Sequence, residues 1–407
     1  MRRLFLSLTL ILACCMLCAG CAKQNTGVKP LLVWSGMDAE FPTLLKQCQE
    51  FEKQNPGLKV EVLKVPYKDL RNKFLIAAPA GLGPDILVGP QDWIGVLSVA
   101  DQLQPIPEGV ISKNDYFPVA IDSVKFNKQM YMAPLCMECI ALFRNTDLMP
   151  KRPETMKDLL AEAKSIQEKS HNQVKGFYFE IKDLYFSLPF LVGEGAYLLG
   201  KDADGEYNPS DIGMSNEGAI RGAKFLRSLV ADKYIELGAT ENTSRALFLE
   251  NKAAVIVNGP WFLEGVKKAG IHYAIDPFPV SDSGNIPRPS LGVQGFMMSK
   301  FSARPQEAAK LVSFLSSDQN MAEMSKTSGR PPVKMKALDL CSDNPDIVAF
   351  TKICSTGVPM PTHPAVGQVW EPMKQSLELI SKGQVETETE LKAANDLIVQ
   401  KIKLMLE

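Results

Sequence analysis

The sequence has few of the residues that usually carry catalysis or bind metal ions. Only three histidines occur in its 407 residues, His171, His272 and His363, and none has metal-ligand spacing to another or to a cysteine pair. It has no G-x-S-x-G nucleophile motif, no P-loop and no glycine fingerprint for a dinucleotide. A pair of catalytic carboxylates for glycoside hydrolysis remains an alternative, because the distance between the two groups depends on the fold and not on their spacing in the sequence. We therefore expect no metal and no cofactor, and the residues disfavour an enzyme.

The sequence also has no excess of charge of either sign. Lys and Arg number 45 and Asp and Glu number 46, so the net charge does not call for a nucleic acid as partner. With 22% charged and 45% hydrophobic residues, the composition is that of an ordinary globular protein of one or two domains. No repeat and no low-complexity linker divides the chain. This absence indicates lobes that are joined by chain crossing back and forth.

The N-terminus is typical of an exported lipoprotein. Arg2 and Arg3 precede an apolar stretch of signal-peptide length, residues 4–19. The segment LCAGC at 17–21 resembles a bacterial lipobox, although Cys18 stands where leucine is preferred. We expect residues 1–20 to be a lipoprotein signal peptide and Cys21 to carry the lipid, facing either the periplasm or the cell surface. An uncleaved membrane anchor is the alternative, disfavoured because the run is shorter than the roughly 20 residues that span a bilayer.

The remaining cysteines are odd in number, which excludes a complete disulfide framework. They are Cys48, Cys136, Cys139, Cys341 and Cys354. Cys136 and Cys139 have the spacing of a redox motif, but they lie in an extended apolar pattern and not at a helix N-terminus. We interpret them as buried small hydrophobic residues. A bridge between Cys341 and Cys354 stays open, since an exported protein permits one.

Strand and helix patterns alternate along the chain. The predicted elements are a strand at 31–36, a helix from 41, a strand at 58–65, a helix near 67–78, a strand from 86, and late helices at 303–317 and 390–406. The first helix is predicted to bury Phe41, Leu44, Leu45, Cys48 and Phe51, and the last to bury Leu391, Ala394, Leu397, Ile398, Ile402 and Met405. This alternation predicts an α/β fold whose crossovers are helices. It continues beyond the size at which one core stops growing, which predicts two lobes.

Tryptophan is scarce, and its four positions lie at strand ends or beside turns. They are Trp34, Trp93, Trp261 and Trp370. In open α/β sheets ligands bind beyond the carboxyl ends of the strands. A flat ring there suits the apolar face of a sugar, and neighbouring carboxylates suit its hydroxyls. Each tryptophan taken singly fits a core position as well, but Trp261 directly follows the strand-ending turn of VIVNGPWFLEGV (255–266) and is the best stacking candidate.

Four segments resemble a known family in order and spacing. They are GPDILVGPQDWIGVL (83–97), APLCMECIALFRNTDLMPKRPETMKDLL (133–160), FLENKAAVIVNGPWFLEGV (248–266) and SLGVQGFMMSK (290–300). The chain is similar to extracellular solute-binding proteins of ABC importers, in the maltose-binding-protein-like group (family 1). The resemblance implies two α/β lobes around a hinged ligand cleft, a permease as partner and a monomer. By analogy one lobe holds 28–136 and 295–339, and the other 140–289 and 346–407.

The resemblance also implies which residues contact the ligand. The positions that match the family's sugar contacts are Asp38, Asp92, Glu138, Asp183, Tyr185, Trp261 and Trp370. Two further candidates depart from the family pattern, because Trp93 replaces an arginine and Glu371 replaces a tyrosine. Lys374 likewise stands where the maltodextrin binders have arginine, and Gly89 where they have tryptophan. Stacking is thus partly kept and partly rearranged.

The expected ligand is a sugar or oligosaccharide of the maltodextrin type. A cationic ligand such as a polyamine is the main alternative, because carboxylates and aromatic rings suit a cation as well. A secreted carbohydrate-active enzyme is less favoured. A scaffold or adhesion lipoprotein whose cleft has lost its ligand is the last alternative.

Overall fold

The computed structural model describes residues 29–407, so the predicted signal peptide and Cys21 lie outside the described residues. Its strands, in chain order, are β1 Leu31–Ser35, β2 Val60–Lys64, β3 Ile86–Pro90, β4 Leu103–Gln104, β5 Lys125–Phe126, β6 Gln129–Met130, β7 Met132–Glu138, β8 Ala141–Asn145, β9 Lys175–Tyr178, β10 Gly200–Lys201, β11 Tyr207–Asn208, β12 Ala253–Asn258, β13 Tyr273–Asp276, β14 Ser290–Ser299 and β15 Val358–Pro359.

The helices follow the strands in a regular alternation only in the first hundred residues. They are α1 Phe41–Gln54, α2 Tyr67–Ala77, α3 Trp93–Val99, α4 Pro118–Asp122, α5 Met156–Lys169, α6 Leu184–Gly193, α7 Glu217–Ala231, α8 Glu241–Leu249, α9 Leu263–Ala269, α10 Pro305–Leu315, α11 Asp318–Ser328, α12 Met335–Asp339, α13 Pro345–Cys354, α14 Trp370–Ser381 and α15 Thr387–Leu406. Short 3₁₀ turns lie at Lys113–Asp115, Pro260–Phe262 and Pro364–Gln368.

The predicted α/β alternation is confirmed from β1 to β3 and at the late helices, with ends that differ by a few residues. In α15 the buried stripe consists of Leu391, Ala394, Ile398 and Ile402. Leu397 and Met405, which the spacing also placed on that stripe, are 39% and 36% exposed, and Leu45 of α1, likewise predicted to be buried, is 38% exposed. The helical period therefore located the buried face but overestimated its width.

The first sheet has seven strands. The order of its main path is β15-β14-β3-β1-β2, and β4 and β7 also pair with β14. β1 is parallel to both β2 and β3, whereas β14 is antiparallel to β3 and β7. Because of these directions, the ends of β1, β3 and β7 meet the start of β14 at one edge of the sheet.

The second sheet has four strands in the order β13-β8-β12-β9. β12 is parallel to β9 and antiparallel to β8, with Asn258 opposite Ala141. The ends of β9 and β12 and the start of β8 therefore share an edge. That edge faces the first sheet, since Cys139 and Ile140 alone separate the end of β7 from the start of β8.

The chain passes between the two sheets more than once, as the lack of a linker predicted. It leaves the first sheet after β7 and returns from β13 to β14, and β15 pairs with the start of β14. β14 continues through residue 295, although its register with β7 shifts between Gln294 and Gly295, and it belongs to the first sheet along its length. The residue bounds given above for the lobes stay a prediction.

The five cysteines within 29–407 are free and buried. Burial of Cys136 and Cys139 agrees with their interpretation as small hydrophobic residues. Cys341 and Cys354 are not bridged, because the Cys341 thiol points to the carbonyl of Ala322 and the Cys354 sulfur lies 3.2 Å from that of Cys139. Among the described residues, no helix combines the length and the apolar character needed to cross a membrane.

Candidate functional site

A buried ionic network occupies the edge of the first sheet. Arg330 donates from Nε to Glu138 Oε2 at 2.6 Å and from a terminal nitrogen to Glu40 Oε1. Gln294 donates from Nε2 to Glu138 Oε1 at 2.7 Å and to the Tyr67 hydroxyl at 3.3 Å. Glu40, Glu138, Gln294 and Arg330 are all less than one-tenth exposed. One cation is therefore shared between two carboxylates from distant parts of the chain.

The backbone holds Arg330 in place. Helix α11 ends at Gly329, whose φ of 74° is a left-handed conformation that glycine adopts without strain. The next residues run beside β7, where Met137 donates its backbone N–H to the carbonyl of Pro331 at 2.8 Å. Burial lowers the pKa of the Arg330 guanidinium, but the charges of Glu40 and Glu138 outweigh it and raise the pKa well above its ordinary value. The guanidinium is thus a fixed charge.

Trp93 and Gly89 occupy one shared space on the same edge. A Cβ added to Gly89 would lie 2.7 Å from two ring carbons of Trp93, so a side chain at residue 89 and the Trp93 ring exclude each other. Trp93 is only 7% exposed, and its ring centroid lies 5.5 Å from that of Tyr67, which is 40% exposed. The two departures from the family pattern at these positions are therefore linked by packing.

Asp92 precedes α3 at this edge and is half-buried. Burial raises the pKa of the Asp92 carboxyl to about 6, the Arg71 charge opposes the rise, and the charge of Glu138 adds to it. We call this set of residues the first wall: Glu40, Tyr67, Asp92, Trp93, Glu138, Gln294 and Arg330.

The edge of the second sheet carries Trp261 in the 3₁₀ turn after β12. A Cβ on Gly259 would lie 2.1 Å from ring atom Cζ3 of Trp261, so the ring folds back over the turn only because residue 259 is glycine. The indole Nε1 donates to Glu241 Oε1 at 3.0 Å, and the ring is half-buried. Its centroid lies 6.2 Å from that of Tyr185. The indole is therefore fixed at its polar end and partly open to solvent.

Asp183 and Tyr185 come from the start of α6 on the same side. Asp183 caps this helix by accepting the backbone N–H of Tyr185 at 2.8 Å. Burial raises the pKa of the Asp183 carboxyl, and the charges of Glu180 and Glu241 add to this while Lys374 opposes it. We call this second set the second wall: Asp183, Tyr185, Glu241 and Trp261.

The two walls contact each other. The guanidinium carbon of Arg330 lies 5.9 Å from the ring centroid of Trp261, within the range of a cation–π interaction. Burial raises the pKa of Tyr185 well above its ordinary value, and the charge of Glu138 adds to the effect. Five of the candidates predicted from separate segments of the sequence therefore lie near one another in the structure. They are Asp92, Trp93, Glu138, Tyr185 and Trp261.

The other predicted residues lie outside the two walls. Trp370 is the half-buried first residue of α14, which packs against α6. Glu371 is exposed and accepts from Gln375 Nε2 at 2.9 Å. Asp38 has a side chain that is 83% exposed and pairs with Lys64 at 2.7 Å. These three residues make no hydrogen bond to the ionic network within the described part of the chain.

The sequence did not identify five residues of these walls. They are Glu40, Tyr67, Glu241, Gln294 and Arg330. Gln294 carried a signal, since it is the one amide within the apolar run SLGVQGFMMS. Glu40 and Arg330 are 290 positions apart and gave none.

The comparisons with known proteins now define the class. The family model of bacterial extracellular solute-binding proteins matches residues 46–349, and the chain belongs to this family. A galactooligosaccharide-binding protein from Bacillus subtilis (strain 168) is 29% identical over 395 residues, which cover 94% of this chain and 91% of that protein. The maltodextrin-binding protein MdxE from the same strain is 28% identical and covers 87% of this chain and 86% of its own.

Two solved structures share the fold. The maltotriose-binding protein of Thermus thermophilus, bound to maltotriose, matches with a TM-score of 0.84 and 28% identity over 91% of this chain and 100% of that one. A cyclo/maltodextrin-binding protein with maltotetraose matches with a TM-score of 0.81 and 30% identity, over 93% and 99% of the two chains. The predicted two-lobed α/β fold is confirmed. The family and these relatives are binding proteins, not enzymes.

Proposed function

We propose that this protein is the receptor of an ABC importer and that it binds an oligosaccharide between the first and second walls. The main observation behind the proposal is that partly exposed aromatic rings lie beside polar groups held by hydrogen bonds, at the edges of two facing sheets. Trp261 and Tyr185 offer ring faces to the apolar side of a sugar. The named ligands of the relatives, galactooligosaccharide, maltodextrin and maltotriose, support this ligand class.

The polar residues divide the remaining work. We propose Asp92 and Asp183 as acceptors for sugar hydroxyls, with Trp93 shaping the floor beside Gly89. Both carboxylate oxygens of Glu138 are already bonded, so its role is to hold Arg330 and Gln294. Glu40 Oε2 and Gln294 Oε1 are buried acceptors without a partner among the described residues, and a bound hydroxyl would satisfy either. Trp370, Glu371 and Asp38 are proposed as contacts at the rim.

The ionic network also bears on the choice between a sugar and a polyamine. Arg330 forms ion pairs with both Glu40 and Glu138, so these two carboxylates are already engaged inside the protein. Burial also raises the pKa of Asp92 and of Asp183, because the surroundings of these carboxyl groups disfavour the charged form. The walls are therefore less anionic than a count of acidic residues suggests, which favours a neutral ligand.

Delivery requires that ligand shifts the protein toward a closed form. Arg330 of the first wall meets Trp261 of the second, and a ligand between the walls would contact both lobes only when they approach. We propose that the permease recognises this form, that Cys21 carries the lipid that anchors the chain, and that the receptor is a monomer without catalytic activity.

Calorimetric titration of the full-length chain in detergent tests the ligand class. We expect maltotetraose or a galactooligosaccharide to bind with a dissociation constant in the micromolar range, and spermidine not to bind. Binding should change little between low and high salt, because the ligand is neutral. Saturable binding of spermidine alone, weakening with salt, would establish the cationic alternative. No heat with any of these ligands would overturn the proposal.

A further inference from the structure

Two buried cysteines meet where the chain passes between the sheets. The sulfur atoms of Cys139 and Cys354 lie 3.2 Å apart, and the two residues are 0% and 2% exposed. A disulfide needs these atoms to approach by about 1 Å more. The other three cysteines of the described range do not share this contact, and the thiol of Cys341 points to Ala322. The pair is therefore selected by geometry and not by the C-x-x-C spacing.

The position of the pair links both sheets. Cys139 is the first of the two residues that connect β7 of the first sheet to β8 of the second. Cys354 is the last residue of α13, which packs against β13 of the second sheet and leads into β15 of the first. A disulfide between the two sulfurs would therefore link the β7–β8 connection to the C-terminal end of α13.

We propose that Cys139 and Cys354 are a redox modification site that forms a disulfide when the exported chain meets an extracellular thiol oxidant. With a small disulfide such as oxidised glutathione as oxidant, the two thiols lose two protons and two electrons and become one S–S bond. The S–S bond of the oxidant breaks, and its two sulfur atoms take up the two electrons and two protons, which yields two molecules of reduced glutathione. An extracellular family gives the chain access to such oxidants.

We expect the disulfide to form mainly while the chain folds, before the two thiols are buried. Burial raises the pKa of the Cys354 thiol well above its ordinary value, and the adjacent Cys139 raises it further, so little thiolate exists once the chain has folded. We therefore expect fast oxidation during refolding and slow oxidation of the native protein. The closed loop spans residues 139–354, and a long loop gives a disulfide its greatest stabilising effect in the chain-entropy account.

Refolding of the full-length chain in oxidised and in reduced glutathione tests the site, with trypsin digestion and mass spectrometry as readout. Cys354 lies in the tryptic peptide 353–374, whereas Cys136 and Cys139 share the peptide 129–144. We expect these two peptides to be joined only after oxidation. The joined species should persist in Cys136→Ala and disappear in Cys139→Ala and Cys354→Ala. The oxidised chain should also unfold several degrees above the reduced one, a gain that Cys354→Ala lacks.

The result does not depend on the proposed ligand, because no ligand enters the assay. Separate peptides after refolding in oxidised glutathione would overturn the proposal, as would a joined species that survives in Cys139→Ala. Native thermal unfolding of the reduced variants checks that each one folds.

Discussion

The two walls use the same packing device and expose it differently. On the first wall the Trp93 ring lies over Gly89, and on the second the Trp261 ring lies over Gly259. Gly89 is the penultimate residue of the buried strand β3, Gly259 follows the buried strand β12, and each glycine precedes a proline. Trp93 is nevertheless 7% exposed and lies beside the buried ionic network, whereas Trp261 is half-buried and its indole nitrogen is bonded to a partly exposed Glu241.

This difference divides structural work from binding work. In the first wall Arg330 is bonded to Glu40 and Glu138 inside the protein, so the shape of this wall is set before any ligand arrives. The second wall keeps ring surface open and fixes it through one hydrogen bond. Substitutions of Trp93 or of the ionic network in the first wall should therefore reduce stability, and substitutions of the open ring in the second should reduce ligand affinity.

The largest effect is expected from Arg330→Met. It removes the guanidinium that is paired with Glu40 and Glu138, and both carboxylates are then buried without this ion pair. Removing one partner of a buried ion pair typically costs about 3–5 kcal/mol. We expect the free energy of unfolding to fall by about that amount in urea denaturation followed by circular dichroism.

The matched control is Arg245→Met beside the second wall. Arg245 is 37% exposed and lies 3.8 Å from Glu241, so its loss should cost about 1 kcal/mol or less. Adding Glu40→Gln and Glu138→Gln to Arg330→Met should restore part of the stability, because the uncompensated charges are removed. Equal losses in the two arginine variants would show that the first wall has no special structural role.

The next effect separates the two tryptophans. Trp261→Ala should weaken oligosaccharide binding by at least about 2 kcal/mol, roughly 30-fold, since an open aromatic anchor contributes strongly to affinity. Its effect on the unfolding midpoint should be small. Trp93→Ala should do the reverse, because a buried large-to-small change leaves a cavity that costs about 3–5 kcal/mol. Calorimetric titration and urea denaturation of both variants measure the two quantities.

The sharpest control is Trp261→Phe, which keeps a ring but loses the bond to Glu241 and should bind with intermediate affinity. If Trp261→Ala lowers stability more than affinity, its ring is a core residue in the same sense as that of Trp93. The division between the walls would then be wrong.

The sequence predicted features that depend on nearby residues better than those that depend on distant ones. The alternation from β1 to β3 follows from local hydrophobic periods, and the turn before Trp261 from Asn258, Gly259 and Pro260. The family resemblance identified Glu138 as a candidate. No local sequence pattern identified Glu40 or Arg330, which lie 290 positions apart and contact each other only in the folded chain. The packing of the Trp93 ring on Gly89 was not predicted from the sequence, because it depends on the side-chain rotamer of Trp93.

The smallest expected effect is a pH dependence of stability that differs between the walls. Burial raises the pKa of Asp92 to about 6, whereas an unfolded aspartate titrates near 3.9. The folded state therefore holds this proton more tightly, and its contribution is present below about pH 4 and lost as the pH rises to about 6. Relative to Asp92→Asn, which cannot titrate, the free energy of unfolding of the unmodified chain should fall by about 1–2 kcal/mol over that interval, allowing for partial solvent screening. Asp183→Asn is the comparison on the second wall, where the carboxyl pKa is raised less than that of Asp92, so its difference profile should be flatter. Urea denaturation at a series of pH values measures both profiles. An Asp92→Asn profile that parallels the unmodified chain would mean that Asp92 is as well solvated as an open surface carboxylate, and the first wall would then be less dry than its buried network implies.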